Sequence, residues 1–564
     1  MKPHSALKKR KLGVYYTPPE LSQMLADWAI ISANETILEP SFGGCGFLDS
    51  CCNRLKYLGC LEPERQLYGV DIDKHAFEIL DKKFKGKINT VNQFILQDFI
   101  TVNPEQLKAG KFDIVIGNPP YVSMHNMTEM QRKSCENILK NSPFIKYTIG
   151  RNASLWAFFL LHSLSFLKDG GRVAWVLPSS LLHADYAKKL IEIFQCYFLN
   201  IKIVKLAERF FKGEGAKEAS IILLAEGFNS STTIGCSLRI DSVESLTNLE
   251  KLIYSKSIRK DTNIGNYKIN LLAEEVKNTY LGLLAGNNIK SLGDYVDIKI
   301  GMVTGNNNFF IINNTTVDKY CLPEEVLIPV ISRFSLLKGT THTKRKQEKL
   351  LDEDKRVFLF CPSESYMKNP SIQVIDYINQ MTEDKIENNK TFKKRPNWFS
   401  PGYGIDGIIS DCFLSYMIHH GPRMVVNQAK FNCTNSIHKV IFHDKKTKTN
   451  TKIALSLLML SSLSQFSAEL EGRAYSSGVL KIEPSSGKKI KVMLSDNCID
   501  DLLLIKNFID KKIENSEFFE ATKLVDQVLI KNGLITKRQC DFLIQGINEL
   551  RQERYRGVKK YNAE

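Results

Sequence analysis

No two cysteines stand in a C-x-x-C spacing, although the chain holds thirteen of them. An odd, scattered set is neither a disulfide framework nor a zinc site, so a reducing compartment is expected. No run of eighteen apolar residues occurs, so no helical membrane span is expected. Behind Lys8-Lys9-Arg10-Lys11 there is no apolar stretch of the kind a signal peptide needs, and no leader is expected. The G-x-G-x-x-G and Walker A phosphate loops are missing, which argues against dinucleotides and nucleoside triphosphates as ligands. No PD…ExK pattern stands out, so no nuclease chemistry is expected. Low-complexity tracts and internal repeats are absent as well.

What is present begins with charge. Acidic residues are outnumbered, 61 against 77 Lys and Arg, for a formal net charge of +16. That balance points to a polyanionic partner, nucleic acid first. A length of 564 residues suits two domains better than one.

From residue 35 to about 226, apolar runs alternate with helical patterns. Candidate strands are Thr36–Leu38, Gln66–Val70, Gln93–Leu96, Phe112–Gly117, Arg172–Leu177, Lys202–Leu206 and Ser220–Leu224. Candidate helices are Glu20–Ser32, Gly46–Leu58, His75–Lys83, Ala153–Leu167 and Leu181–Phe194. The alternation predicts an α/β domain with a mainly parallel sheet covered on both faces. The connection before the last strand is too short for a crossover helix, so that strand is expected to be antiparallel. Residues 231–290 read as a connecting region, with a strand-like piece at Ile234–Ile240. Residues 291–564 read as a second, mixed domain in which helical patterning returns at Asp496–Arg554.

Four residues carry most of the chemistry. Asn118-Pro119-Pro120-Tyr121 follows a buried strand, where ligands bind in open α/β sheets. The prolines stiffen the loop and remove two donors, leaving carbonyl acceptors. An amide oxygen, free carbonyls and an aromatic face suit a planar group bearing –NH2. Upstream, Glu39-Pro40-Ser41-Phe42-Gly43-Gly44-Cys45-Gly46 joins a strand to a helix, and its glycines permit close approach of a ligand to backbone N–H groups. Asp71 ends the second strand, where an acid accepts from ribose hydroxyls. Asp73 is the better helix cap there. Asp98 and Phe99 follow the third strand, placed for an adenine amino group and its ring. Together these outline a pocket for a nucleoside with a carboxylate tail, and S-adenosylmethionine is such a ligand.

In these residues the chain resembles the γ-class, TaqI-like adenine-N6 DNA methyltransferases of restriction–modification systems. The family's Thr-Pro-Pro-Glu segment is Thr17-Pro18-Pro19-Glu20, its glycine loop begins at Glu39-Pro40, and its catalytic tetrapeptide is Asn118–Tyr121. The resemblance covers about residues 13–226. Ser477 to Pro484 looks like the closing segment of such recognition domains. The fold implied is class I: a doubly wound, seven-stranded, mostly parallel sheet with one antiparallel strand. A catalytic domain (1–230) would precede a mixed α/β target-recognition domain (291–564).

The cofactor implied is S-adenosyl-L-methionine, held by Thr17, Glu39, Pro40 and Gly43 on one side. Asp71, Ile72, Asp98, Phe99 and Asn118 would hold it on the other. Asn118 and the Pro119 carbonyl would accept the adenine N6 hydrogens, within the catalytic set Asn118, Pro119, Pro120 and Tyr121. The base would be flipped out of double-stranded DNA. Tyr121 would stack on it, and Phe211 resembles the second stacking aromatic, with Phe210 competing. One departure is Cys45, which stands where the family has its second loop glycine. A positive φ there would strain the loop, and a shifted loop is the alternative.

Other side chains read as structural. Trp156 and Phe159 are expected in the core, and Cys51 and Cys52 on a buried helix face. No metal is expected, and His162 and His183 have no partner spacing that suggests one. In the second half, Lys393, Lys394, Arg395 and Trp398 form a basic–aromatic cluster that suits a DNA contact. A location in the cytoplasm of a bacterial or archaeal cell follows, with room for a separate cognate restriction endonuclease. Protein-glutamine methyltransferases acting on release factors share the Asn-Pro-Pro-Tyr loop, and RNA base methyltransferases are a further alternative. The long, lysine-rich second half favours DNA. A specificity subunit with a dead methylase domain is opposed by the intact set Asn118, Tyr121, Asp71 and Asp98.

Overall fold

The computed structural model describes residues 17–87, 92–144, 149–182, 184–206, 220–232, 236–243, 245–255, 267–401, 409–475 and 478–555. They form two compact units, one up to Leu271 and the other spanning Leu272–Tyr555.

The first unit opens on helix α1 (Pro19–Ala29), with proline at its first helical position, where the missing N–H costs no hydrogen bond. There follow β1 (Ile37–Glu39), α2 (Gly46–Tyr57), β2 (Leu67–Asp71), α3 (Lys74–Lys83), β3 (Phe94–Leu96) and β4 (Phe112–Gly117). Next come α4 (Glu129–Asn141), α5 (Leu155–Ser163), β5 (Leu167–Pro178), α6 (Asp185–Tyr197), β6 (Asn200–Leu206) and β7 (Ser220–Glu226). β8 (Ser237–Val243) and α7 (Leu246–Ile253) complete it.

The strand order is β3-β2-β1-β4-β5-β7-β6-β8. β7 runs antiparallel to β5 and β6, and every other pairing is parallel. The expected reversal is therefore present at the expected strand.

Both faces are covered. Leu38, Val115, Val173, Trp175 and Leu177 lie in one cluster with α4, α5 and α6. Ile37, Ile114, Ile116, Ala174 and Val176 lie in the other with α1, α2, α3 and α7. Each such side chain contributes about 1.5–3 kcal/mol by burial, so the sheet tolerates unpaired acids at its carboxyl end.

Two expectations are corrected. The sheet has eight strands among the described residues, and residues 231–290 are not simply a connecting region. β8 pairs in parallel register with β6, from Asn200↔Ser237 to Leu206↔Val243. Leu238 and Ile240 are buried on one face, while Val243 is buried on the other, which it shares with the paired Arg239 and Asp241. Alternating charge in an edge strand reads locally as a polar linker. The missed helix α4 is the second correction.

The second unit holds a five-stranded sheet in the order Val296–Ile300, Ile437–Phe442, Cys412–Ser415, Met424–Asn427, Thr341–His342. A four-stranded sheet lies beside an aromatic cluster that includes Phe309, Phe310, Phe392 and Trp398. Helices Asp496–Glu514, Phe518–Lys531 and Lys537–Tyr555 follow, as the returning periodicity predicts. Among the described residues no single helix is long and apolar enough to cross a membrane.

Candidate active site

The strand order reverses between β1 and β4, which pair as neighbours while their following strands lie on opposite sides. Such a switch point leaves a crevice at the carboxyl ends of the strands. A cavity of about 360 Å³ opens there, within the range of small-molecule sites. Thr17, Glu39, Pro40, Gly43, Asp71, Ile72, Asp98, Phe99 and Asn118 all line it. The structure thus brings every sequence-predicted cofactor residue around one cavity.

The glycine loop is anchored by Phe42, whose ring meets Phe77 and Phe94 edge-on at 5.1 and 5.6 Å. That packing needs a bare backbone beneath it. A Cβ at Gly69 would sit 2.7 Å from Phe42 Cδ1 and 2.9 Å from Phe94 Cδ1. Asp71 ties the loop down: Oδ2 accepts from Gly43 N at 2.8 Å and Oδ1 from Asp73 N at 2.8 Å. Each carboxylate oxygen has a further lone pair for a hydroxyl donor. Asp73 caps α3 by accepting from His75 N at 3.2 Å, as expected.

Cys45 has φ 61° and ψ 24°, the left-handed conformation. The unshifted loop is therefore present, and the cysteine bears its strain. Its thiol is fully buried, and burial pushes its pKa upward, so it is inert as a nucleophile.

Three buried or half-buried acids face the cavity. Glu39, 3% exposed, accepts from Leu48 N at 3.1 Å. Burial and then the neighbouring Asp71 raise its carboxyl pKa well above the usual range. Burial also raises Asp71 and Asp98. Among the described residues, no ion pair involves any of the three. At the opposite end of β4, by contrast, Asp113 is matched by Lys168 at 2.8 Å. The unmatched acids make the cavity suited to a ligand carrying positive charge.

Asn118 Nδ2 donates to Thr17 Oγ1 at 3.3 Å, which sets the orientation of the carboxamide. Pro120 lines the cavity, while Pro119 and Tyr121 do not. Tyr121 is packed against the core with its hydroxyl on the Val176 carbonyl at 3.2 Å. Phe211 and Phe210 lie outside the described residues, as do Ser477 and His183.

Residues of α4 and α5 complete the wall. Asn126, Thr128 and Gln131 line the cavity, as does Phe159. Phe159 is also core, as expected, with its ring 5.2 Å from Phe99. Trp156, Cys51 and Cys52 are buried. The pattern Thr128-x-x-Gln131 is a capping-box signature that the sequence displays. No group of metal-ligating side chains occurs among the described residues.

In the second unit the basic–aromatic cluster divides. Lys393 and Lys394 are exposed. Arg395 and Trp398 are partly buried and bonded within this unit. Arg395 donates to Val303 O at 2.7 Å and Trp398 O at 3.3 Å, and lies over Phe310 and Phe392. Trp398 packs with its ring centre 5.5 Å from both Phe309 and Phe392. Trp398, the aromatic of the expected DNA contact, packs against this unit's aromatic cluster.

A model of the family "N-6 DNA Methylase" matches residues 1–264, and a model of "Type II methyltransferase M.Eco57I, C-terminal domain" matches residues 266–530. The chain is similar to Type II methyltransferase M.AccI of Acinetobacter calcoaceticus, at 26% identity over 92% of this chain and 93% of that protein. It is also similar to Type II methyltransferase M.BstVI of Geobacillus stearothermophilus, at 24% identity over 75% of this chain and 78% of the relative. Among solved structures it resembles the Type IIL restriction–modification enzyme MmeI in complex with DNA. The TM-score is 0.62 at 12% identity, covering 98% of this chain and 80% of that one, a likeness of fold.

Proposed function

This chain belongs to the N-6 DNA methylases of restriction–modification systems, and from that premise we propose which of its atoms carry the transfer. Its fold is a class I methyltransferase followed by a second unit. Its reaction is methylation of adenine N6 in DNA, and S-adenosylmethionine supplies the methyl group on a sulfonium.

The observation that carries the assignment is the shared cavity. Asn118 lines the same cavity as Glu39, Asp71 and Asp98, at the switch point of the sheet. The donor and acceptor set fits the cofactor. Asp71 has lone pairs for ribose hydroxyls, Asp98 suits the adenine amino group, and Ile72, 58% exposed at the wall, offers an apolar surface to the base. The unmatched acids favour a cationic centre.

Adenine N6 is a poor nucleophile because its lone pair is delocalised into the ring. Asn118 Oδ1 and the Pro119 carbonyl accept its two hydrogens in our reading, drawing the nitrogen towards a tetrahedral geometry. Thr17 holds the carboxamide in the required orientation. Tyr121, hydrogen-bonded at Val176, would stack on the extruded base, and Phe211 is the proposed second stacking aromatic. Positioning and electrostatics supply the rate.

The motif order Thr17–Glu20, Glu39–Gly43, Asp71, Asp98 and Asn118–Tyr121 supports a γ-class, site-specific enzyme. We place its work in the cytoplasm on duplex DNA, beside a separate cognate endonuclease. The second unit then supplies target recognition, with Lys393 and Lys394 on phosphates.

Replacing Asn118 by alanine tests the assignment. Methyl transfer from labelled cofactor to DNA is expected to fall by about 100-fold or more, far more than S-adenosylhomocysteine binding falls. An Asn118→Ala enzyme of unchanged activity would overturn it.

A further inference from the structure

The cavity wall beside Asp98 is built by an element outside every motif quoted above. α4 is capped by Thr128, and Gln131 sits at its third helical position. Both ends of the Gln131 carboxamide are committed. Oε1 accepts from Thr128 N at 3.1 Å, and Nε2 donates to Asp98 Oδ2 at 2.9 Å. An amide has one acceptor end and one donor end, so the capping box decides which end meets Asp98. Turned over, the side chain would set an amide oxygen against a carboxylate. The other oxygen of Asp98 accepts from Ile100 N at 3.4 Å. The carboxylate is therefore oriented by donors from two elements, one on each oxygen.

We propose that Gln131 is a positioning residue for the cofactor's base: it turns Asp98 to accept from a 6-amino group and so sets the preference for adenine over a 6-oxo purine. This rests on the reading in which Asp98 meets the adenine amino group. The Gln131 bond also favours the ionised carboxylate against its burial, keeping Asp98 an acceptor. A 6-oxo base presents a carbonyl oxygen to that acceptor. A site built around a hydrogen bond rejects an analogue that leaves its buried group unpaired.

The test is calorimetric titration of the full chain with S-adenosylhomocysteine and with S-inosylhomocysteine. Wild type is expected to prefer the adenosyl compound by about tenfold or more. Gln131→Glu keeps an acceptor for Thr128 N, so α4 stays capped, but it replaces the donor to Asp98 with a carboxylate oxygen whose charge opposes that of Asp98. It is expected to cut the preference by about fivefold or more, chiefly through weaker adenosyl binding. Gln131→Met, which supplies neither end of the amide, is expected to cut it similarly and serves if the glutamate variant folds poorly. Thr128→Val disturbs the cap but keeps the Gln131 amide, and is expected to weaken both ligands alike. If the glutamate and methionine variants weaken both ligands equally, the preference is untouched. Gln131 then only shapes the helix, and the proposal falls while the reading of Asp98 stands. If wild type itself binds both compounds equally, Asp98 does not meet the amino group, and the underlying reading falls with the proposal.

Discussion

At the scale of single residues, Cys45 is where local preference and loop geometry conflict. A left-handed backbone costs a non-glycine residue about 1–2 kcal/mol, and Cys45 adopts it at the start of α2. Its side chain is fully buried, so removing the sulfur forfeits a contribution of similar size. Cys45→Gly relieves strain and loses burial, and its stability is expected to stay near wild type. Cys45→Ala loses burial while keeping the strain, and is expected to be less stable than the glycine variant by about 1 kcal/mol. Urea unfolding of the three proteins measures both differences. The strain was foreseeable from the family's glycine at this position. The unshifted loop was not, because it depends on Phe42 seating over Gly69.

At the scale of elements, helices of the second unit are joined through one buried acid. Asp526, on Phe518–Lys531, accepts from Ser462 N at 2.9 Å at the start of Ser462–Glu471. Burial pushes its pKa up to about 7 from the model-compound value of 3.8. The folded state thus binds a proton that the unfolded state has released between those pH values, so stability falls as pH rises through that window and levels off above it. Asp526→Asn is expected to abolish this slope and, at pH 8, to raise stability by at most about 4 kcal/mol. Denaturant titrations at pH 5 and pH 8 test the sign: a wild type more stable at pH 8, relative to the variant, would contradict it. Element boundaries followed the same division between local and distant causes. β4 matched its apolar run, whereas β8 was expected only as a strand-like piece at Ile234–Ile240 of a connecting region, and its pairing with β6 makes it part of the sheet.

At the scale of the whole molecule, the +16 charge is expected to make DNA binding strongly salt-dependent. Lys393→Ala and Lys394→Ala are each expected to flatten the plot of log affinity against log salt by about one unit. Arg395→Ala is expected instead to lower the melting temperature, because its guanidinium donates to two backbone carbonyls of the second unit. Fluorescence anisotropy at several salt concentrations, paired with thermal melts, separates the two outcomes. An Arg395→Ala protein of unchanged stability and reduced salt slope would reinstate it as a phosphate contact. By itself, the amino-acid sequence determined the α/β alternation, the reversed strand, the acids at the strand ends and the prolyl loop. These are set by neighbours along the chain, through periodicity and the chemistry of short segments. Only the tertiary structure decided that Gln131 meets Asp98, 33 residues away, that Asn118 meets Thr17, 101 residues away, and that Trp398 packs against the second unit's aromatic cluster. Those outcomes depend on which distant surfaces pack together, and no local pattern encodes that.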